Sequence, residues 1–217
     1  MFRIMIALNY IFLSVNSFAY EVKFIENDWK VLSFDNIKTH KINFLIDRLE
    51  VVVSKSAAPL IYKFEKPLNV KKVELQTRIQ GYINFDGKEG DKNVDDAYLR
   101  VGLIIKGNKT LNFFQRAVAP RWVKALYEVG QGDDGVDKIL FLTSFERSEL
   151  FHTSRSHDNQ SYYEEIFAFK RSGNTINGIF DLPESVKIIG LWLSSDGDDT
   201  LSQFSINIKS LQFFDEI

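Results

Sequence analysis

The chain has 217 residues, of which 45% are hydrophobic and 26% are charged, with a formal net charge of −2 and no cysteine. These proportions are those of an ordinary globular protein, and the length is sufficient for one domain with a sizeable core. Because nucleic acids and anionic membranes attract positively charged surfaces, the charge does not support either as a partner. Without cysteine, disulfides, thiolate metal sites and a thiol nucleophile are excluded.

Residues 1–19 have the pattern of an export signal. A basic residue lies near the start, residues 4–15 are mostly apolar, and small residues occupy the two positions that a signal peptidase requires. We predict cleavage between Ala19 and Tyr20, with a buried N-terminal strand or helix as the alternative. The apolar stretch is too short for a permanent anchor, and no later stretch is long enough to span a membrane. The sequence therefore predicts a periplasmic or extracellular protein with one domain over residues 20–217.

Alternation of apolar and polar residues predicts β-strands along most of the chain. The clearest case is residues 70–83, where every second side chain faces the core, which is typical of a strand with one wet face. Residues 98–105 and 111–118 are also predicted as strands. Pro67 is expected in a turn, because it lacks the N–H that a strand interior needs.

One segment has helical spacing instead. Trp122, Leu126 and Val129 recur at intervals of three or four residues, with Pro120 before them and Gly130 after them. Proline at the start and glycine past the end are typical of a helix. This pattern predicts one short helix, with a strand as the alternative.

The C-terminal part contains two strong strand patterns. Residues 186–193 carry apolar side chains on both faces, which predicts a strand that is covered on both sides. Residues 204–213 alternate and then shift phase by one residue, which predicts a β-bulge near residues 209–210. We expect the two strands to form a central antiparallel pair, joined at the rim of the sheet by the acidic loop 194–200.

These elements together predict an all-β fold. Ten or more short strands with turns between them and at most one or two short helices are typical of a two-sheet antiparallel β-sandwich, here of jelly-roll type. A single-sheet barrel is the alternative.

A candidate binding face follows if the strand over residues 70–83 pairs with the strand over residues 98–105. Their outward side chains would then share one face that combines carboxylate, amide, guanidinium and phenol groups, which suit sugar hydroxyls and sugar rings. A plain solvated face is the alternative. Trp122 is a second candidate, either as an exposed stacking platform or as a core anchor. The candidate ligand-binding residues are Glu74, Gln76, Arg78, Tyr82, Tyr98, Arg100 and Trp122.

Acidic loops are candidates for structural calcium, which binds six to eight oxygen atoms. The strongest candidate ligands are Asp196, Asp198 and Asp199, and two further acidic clusters lie at residues 91–96 and 133–137. The alternative is that these aspartates stabilise turns. No other cofactor is predicted, and His152 with His157 lacks the further ligands of a zinc site.

An enzymatic function has weaker support. Glu146, Glu149, Glu164 and Glu165 could include the two carboxylates of a glycoside hydrolase, but the sequence does not supply their separation. No nucleophile elbow, P-loop or dinucleotide fingerprint is present. We therefore assign no catalytic residue and favour a protein without enzymatic activity.

Several segments resemble a family of exported bacterial proteins known only as a domain of unknown function. They are residues 54–60, the Asp-Asp-Ala-Tyr-Leu-Arg-Val motif at 95–101, and the acidic loop 193–200 with the strand that follows it. The resemblance implies export and a jelly-roll-like fold, and no reaction. In architecture the chain is also similar to carbohydrate-binding sandwiches.

The sequence thus favours an exported, non-catalytic module that binds a glycan or a cell-envelope polymer. A glycan-acting hydrolase and a structural or protein-partner domain are the alternatives. The oligomeric state does not follow from the sequence.

Overall fold

The computed structural model describes residues 19–91, 94–132, 135–155 and 162–215, and β-strands make up most of it. The predicted export signal therefore lies almost entirely outside the described residues. The strands are β1 (Ala19–Glu21), β2 (Trp29–Val31), β3 (Lys41–Leu45), β4 (Arg48–Ser54), β5 (Leu60–Tyr82), β6 (Arg100–Gly107), β7 (Gly135–Phe145), β8 (Ser154–Arg155), β9 (Tyr163–Ser172), β10 (Thr175–Ile176), β11 (Gly178–Ser194) and β12 (Gln203–Phe214). The helices are α1 (Phe113–Val118) and α2 (Arg121–Val129), with 3₁₀ turns at Glu26–Asp28 and Ser148–Leu150.

The strands form two layers that share β5 and β11. In hydrogen-bonding order the sheet runs β10-β9-β7-β6-β11-β5-β12-β4-β3. β12 pairs with residues 72–82 of β5, whereas β6 pairs with residues 188–194 of β11, so the two long strands pass from one layer into the other. The layers meet in one apolar core, where the rings of Tyr98 and Phe204 lie 5.0 Å apart. The predicted all-β sandwich with few short helices is confirmed, with the added feature that β7 and β9 run parallel.

The position of Pro67 differs from the prediction. It lies inside β5 rather than in a turn. The pairing of β5 with β11 jumps from Leu68 opposite Ile188 to Lys63 opposite Gly190, so residues 64–67 have no Cα partner in that ladder. The missing N–H of proline therefore costs no ladder hydrogen bond there.

The interior faces of the strands follow the predicted alternation. Val73, Leu75 and Ile79 of β5 are fully buried. A register shift between Ile208 and Ser210 of β12 confirms the predicted bulge.

The predicted pairing of the two C-terminal strands is wrong, because β5 lies between β11 and β12. Alternation specifies which face of a strand is buried, but it does not specify the neighbouring strand.

A second apolar cluster covers the outer face of the layer that contains β6, β7 and β11. The helix α2 packs there through Val123, Leu126 and Val129, which confirms the predicted helix. Ile189 and Trp192 of β11 face this cluster, so β11 is covered on both sides as predicted.

The predicted strand over residues 111–118 is wrong. The helix α1 forms there instead, because Asn112 and Gln115 make a reciprocal capping box. The Asn112 side chain accepts a hydrogen bond from the Gln115 N–H, and the Gln115 side chain accepts one from the Asn112 N–H, each at 2.9 Å. Such a box stabilises the first turn of a helix.

In the described part of the chain, no helix has the length and the apolar character that crossing a membrane requires.

Candidate functional site

A cleft of about 330 Å³ opens beside α2, where the ends of β6, β9 and β11 meet the loops before β6 and after β11. This volume lies at the low end of the range for small-molecule sites. Its lining contains a set of aromatic side chains, here called the aromatic wall, and a set of acidic side chains, here called the acidic wall. The aromatic side chains are Phe34, Trp122, Phe141, Tyr163 and Trp192, and the acidic side chains are Asp95, Asp96, Glu165, Asp196, Asp198 and Asp199.

Arg100 is the centre of the acidic wall. It is 7% exposed. Its Nε lies 3.2 Å from Oε1 of Glu165, its Nη2 lies 3.1 Å from Oδ1 of Asp95, and its Nη1 donates to Asp196. Burial by itself would lower the pKa of Arg100, but the three carboxylates raise it, so the guanidinium stays charged.

Glu165 is the most deeply buried carboxylate of the cleft, at 1% exposure. Its Oε1 accepts a hydrogen bond of 2.7 Å from the Thr143 hydroxyl, and its Oε2 accepts one of 2.8 Å from Nε of Arg155. Arg155 also pairs with Asp95. A carboxylate at this depth is stable only when it is paired and hydrogen-bonded, and Arg100 and Arg155 meet this need.

The acidic loop is held against the segment before β6. Oδ2 of Asp96 accepts a hydrogen bond of 2.8 Å from the Thr200 N–H and another from its hydroxyl. The Asp196 N–H donates to the Ala97 carbonyl at 2.9 Å. The two motifs that carry the family resemblance, at residues 95–101 and 193–200, therefore meet in one site.

Crowding of carboxylates perturbs their titration. Burial raises the pKa of Asp196 to about 6, although Arg100 opposes the shift. Burial also raises the pKa of Asp198 and of Asp199, and the neighbouring carboxylates, among them Asp96, raise both further. Negative charge in this wall is therefore costly, and a bound cation would reduce the cost.

The aromatic wall is fixed by edge-to-face packing. The half-buried Trp122 ring lies 5.5 Å from the ring of Tyr162 and 6.3 Å from that of Tyr163, nearly perpendicular to both. The Phe141 ring lies 5.6 Å from Tyr163. Trp192 of β11 is buried and also lines the cleft. Such packing holds the rings in place before a ligand arrives.

Gly102 of β6 lies against the ring of Phe141, and its substitution gives a testable prediction. A Cβ atom there would lie 2.7 Å from Cε1 of Phe141 and 2.8 Å from the carbonyl oxygen of Trp192. We expect Gly102→Ala to destabilise the protein by about 1–3 kcal/mol, because the backbone oxygen cannot move aside. Thermal unfolding measures the effect. The control is Gly178→Ala, whose Cβ would meet only Phe169, at 3.6 Å; equal midpoints for the two variants would contradict the prediction.

The structure separates the ligand-binding residues that the sequence predicted. The pairing assumed between the strand over residues 70–83 and the strand over residues 98–105 is wrong, because β11 lies between β5 and β6. Arg100 and Trp122 line the cleft, as do the candidate calcium ligands of the acidic loop. The outward face of β5, away from the cleft, carries Glu74, Gln76, Arg78 and Tyr82.

Tyr98 belongs to the core and not to a wet face. It is 1% exposed, and its hydroxyl accepts from the Ile83 N–H at 2.8 Å and donates to Glu146 at 2.7 Å. The Arg171 guanidinium lies 4.4 Å from its ring centroid. These contacts tie the two layers together.

The four glutamates that we considered for hydrolysis lie in different surroundings. Glu146 pairs with Arg171, and the exposed Glu164 pairs with Lys138 at 2.7 Å. Glu149 is exposed beside Arg147. Of these four, only Glu165 lines the cleft, so they form no pair of catalytic carboxylates across it.

Phe141, Arg155 and Tyr163 were not predicted to belong to a site, whereas Asp95 was predicted only as part of the acidic cluster at residues 91–96 and Glu165 only as a possible hydrolytic carboxylate. One signal was available. Glu165 interrupts the alternation of β9 with a charge at a position that the neighbouring apolar residues mark as buried. A charge at a core position indicates a buried ion pair or a functional site.

No group of three or more His, Cys, Asp or Glu side chains among the described residues is arranged to hold a metal ion. The acidic cluster at residues 91–96 is described in part, Asp133, Asp134 and His157 lie outside the described residues, and calcium at Asp196, Asp198 and Asp199 stays a prediction.

Comparison with known proteins shows one distant structural similarity and no match in sequence. No protein-family model matches the chain, and no curated protein matches it, so the resemblance to the exported family is not confirmed. Among solved structures, the chain is similar to the carbohydrate recognition domain of Emp47p, with 12% identity, a TM-score of 0.37, and coverage of 90% of this chain and 91% of that one. Nothing about the ligand of this chain follows from so distant a similarity.

Proposed function

We propose that the protein is a non-catalytic carbohydrate-binding module and that its site is the cleft between α2 and the acidic loop. The observation that supports this is the presence of fixed aromatic rings and six carboxylates in the lining of one cleft. Sugar hydroxyls donate charge-assisted hydrogen bonds to carboxylates, and the apolar face of a sugar ring packs on aromatic side chains. Export, and a ligand in the cell envelope, are part of the proposal and rest on the sequence pattern alone.

A glycan-acting hydrolase is the second candidate. It is favoured by the raised pKa of Asp196 in a cleft with other carboxylates, which is typical of an acid–base pair. Against it, Asp196 accepts a hydrogen bond from Arg100, and Glu165 is occupied by two guanidinium groups. A carboxylate in such an ion pair is poorly placed to donate a proton. A structural or protein-partner domain has no specific contact in its favour.

The direct test uses a panel of chito-, cello- and manno-oligosaccharides and soluble peptidoglycan fragments. We expect at least one of them to raise the unfolding midpoint, because a ligand that binds only the folded state stabilises it. We further expect Trp122→Ala to weaken binding of that ligand about tenfold or more, as removal of a central aromatic contact does. Calorimetric titration measures the loss, and chromatography of the oligosaccharide tests for cleavage.

Tyr82→Ala is the matched control. Tyr82 is 70% exposed on β5 and lies outside the cleft. It should leave binding unchanged. Loss of binding in Tyr82→Ala with normal binding in Trp122→Ala would place the site on the outward face of β5 instead, and shortened oligosaccharides would support the hydrolase.

A further inference from the structure

We propose that the ligand of the cleft carries a positive charge, as in an oligosaccharide with free amino groups, and that Asp198 and Asp199 bind this charge. The inference rests on the proposed function and specifies its ligand class. Three features of the cleft support it: an excess of carboxylates, two aspartates that form no ion pair among the described residues although Arg100 attracts both, and a set of aromatic rings.

The charges in and behind the cleft do not balance. Six carboxylates line it, while two guanidinium groups, Arg100 and Arg155, contact them. When all of these groups are ionised, four negative charges remain in excess. Arg100 and Arg155 are both engaged with Asp95 and Glu165, and Arg100 also pairs with Asp196. One of the four excess charges therefore stays within the network of Asp95, Glu165 and Asp196, and the other three belong to the remaining carboxylates of the cleft.

Asp198 and Asp199 carry half of this excess. Within the described residues, neither makes an ion pair, whereas Asp96 is used to hold Thr200. Asp198 is half-buried and Asp199 is exposed, so both are accessible to a ligand at the opening. Each repels the neighbouring carboxylates, which a neutral sugar would not relieve.

The aromatic side chains of the cleft indicate an organic cation and not a metal ion. Trp122, Tyr163 and Phe141 present aromatic rings, and an ammonium group is attracted to the face of such rings. Calcium requires six to eight oxygen ligands, which an aromatic wall does not provide. A ligand with a protonated amine next to a sugar ring could pair with the carboxylates and contact the aromatic rings at the same time.

The experiment compares two forms of one oligosaccharide by calorimetric titration: a chito-oligosaccharide with free amines, and the same oligomer fully N-acetylated. We expect the free-amine form to bind about tenfold more tightly at low salt, the gain of one charge-assisted hydrogen bond. Added sodium chloride should weaken its binding and leave the acetylated form nearly unaffected.

The matched variants are Asp198→Asn/Asp199→Asn and, as control, Asp47→Asn/Asp181→Asn. Both remove two negative charges, but Asp47 and Asp181 lie outside the cleft. We expect the first variant to lose the preference for the free amine and the second to keep it. Circular dichroism of each variant verifies that it is folded.

Two results would overturn the inference. Tighter binding of the acetylated form would do so, as would a stabilising effect of calcium with none of the amine. Failure of the proposed function is distinguishable: if spermidine bound through Asp198 and Asp199 while no oligosaccharide bound, the charge inference would stand and the carbohydrate proposal would fall.

Discussion

Replacing Arg100 with leucine is expected to lower the free energy of unfolding by about 3–5 kcal/mol, the cost of removing one partner from a buried ion pair. Arg100 is the cation that Asp95, Glu165 and Asp196 share, and Glu165 is almost fully buried. Without the guanidinium, Glu165 loses one of its cationic partners, while Arg155 and the Thr143 hydroxyl remain. For a chain of this length the loss corresponds to a fall of roughly 6–20 °C in the unfolding midpoint.

Chemical denaturation measures this effect, and Arg78→Leu provides the control. Arg78 is exposed on β5, so its loss should change stability by no more than about 0.5 kcal/mol. Arg100→Lys should also be destabilised, because a single ammonium group cannot reach three carboxylates in the directions that a guanidinium does. A loss below about 1 kcal/mol in Arg100→Leu would show that the network contributes little.

The same network affects the interpretation of binding data. The sequence predicts that Arg100→Ala weakens ligand binding, and the structure supplies a second route to that result through destabilisation. Binding by Arg100 variants should therefore be measured well below their unfolding midpoints. Variants of Asp198 and Asp199 lack this ambiguity, since neither makes an ion pair among the described residues. Trp122→Ala needs the same precaution as the Arg100 variants, because the ring packs against Tyr162 and Tyr163.

The second large effect is expected on pH dependence. We expect binding of an oligosaccharide with an aminoethyl group to weaken as the pH falls, because the pKa values of Asp198 and Asp199 are raised and these groups bind the ligand in their ionised form. The loss approaches roughly tenfold per pH unit for each binding carboxylate that is protonated in the free protein. The pKa of Asp196 is raised to about 6, and those of Asp198 and Asp199 are also raised. A cation binds the ionised carboxylates. At a pH where such a carboxylate is protonated, each binding event must therefore release a proton. The alkyl ammonium stays protonated throughout, as lysine does.

Calorimetric titration between about pH 7 and pH 5, in buffers of different ionisation enthalpy, gives both the affinity and the number of protons released. The groups that influence Asp196 are Arg100, which favours ionisation, and Asp95, Asp96 and Asp198, which oppose it. Asp198→Asn/Asp199→Asn should make the profile flatter, and the neutral N-acetylated oligosaccharide should show no such slope. A flat profile for the aminoethyl ligand would mean that these carboxylates titrate in their ordinary range and would contradict the prediction.

Local sequence patterns were enough for several elements. The buried face of β5, the bulge in β12 and the helix α2 each depend on periodicity over a few residues, and all three were predicted. The helix α1 was missed although its capping box, Asn112 with Gln115, is also a local signal; its apolar residues favoured a strand. Propensity is a weak guide where a cap competes with it.

The sequence by itself determined the all-β class, the faces of the main strands and the acidic character of the loop after β11, because these follow from side-chain alternation and composition. Only the tertiary structure decided the site. Asp96, Glu165 and Asp196 lie far apart in the chain and converge because β6, β9 and β11 end at one edge and two guanidinium groups compensate the buried charge there. Which strands lie side by side depends on packing of the whole core, and the pattern within any single strand does not encode it.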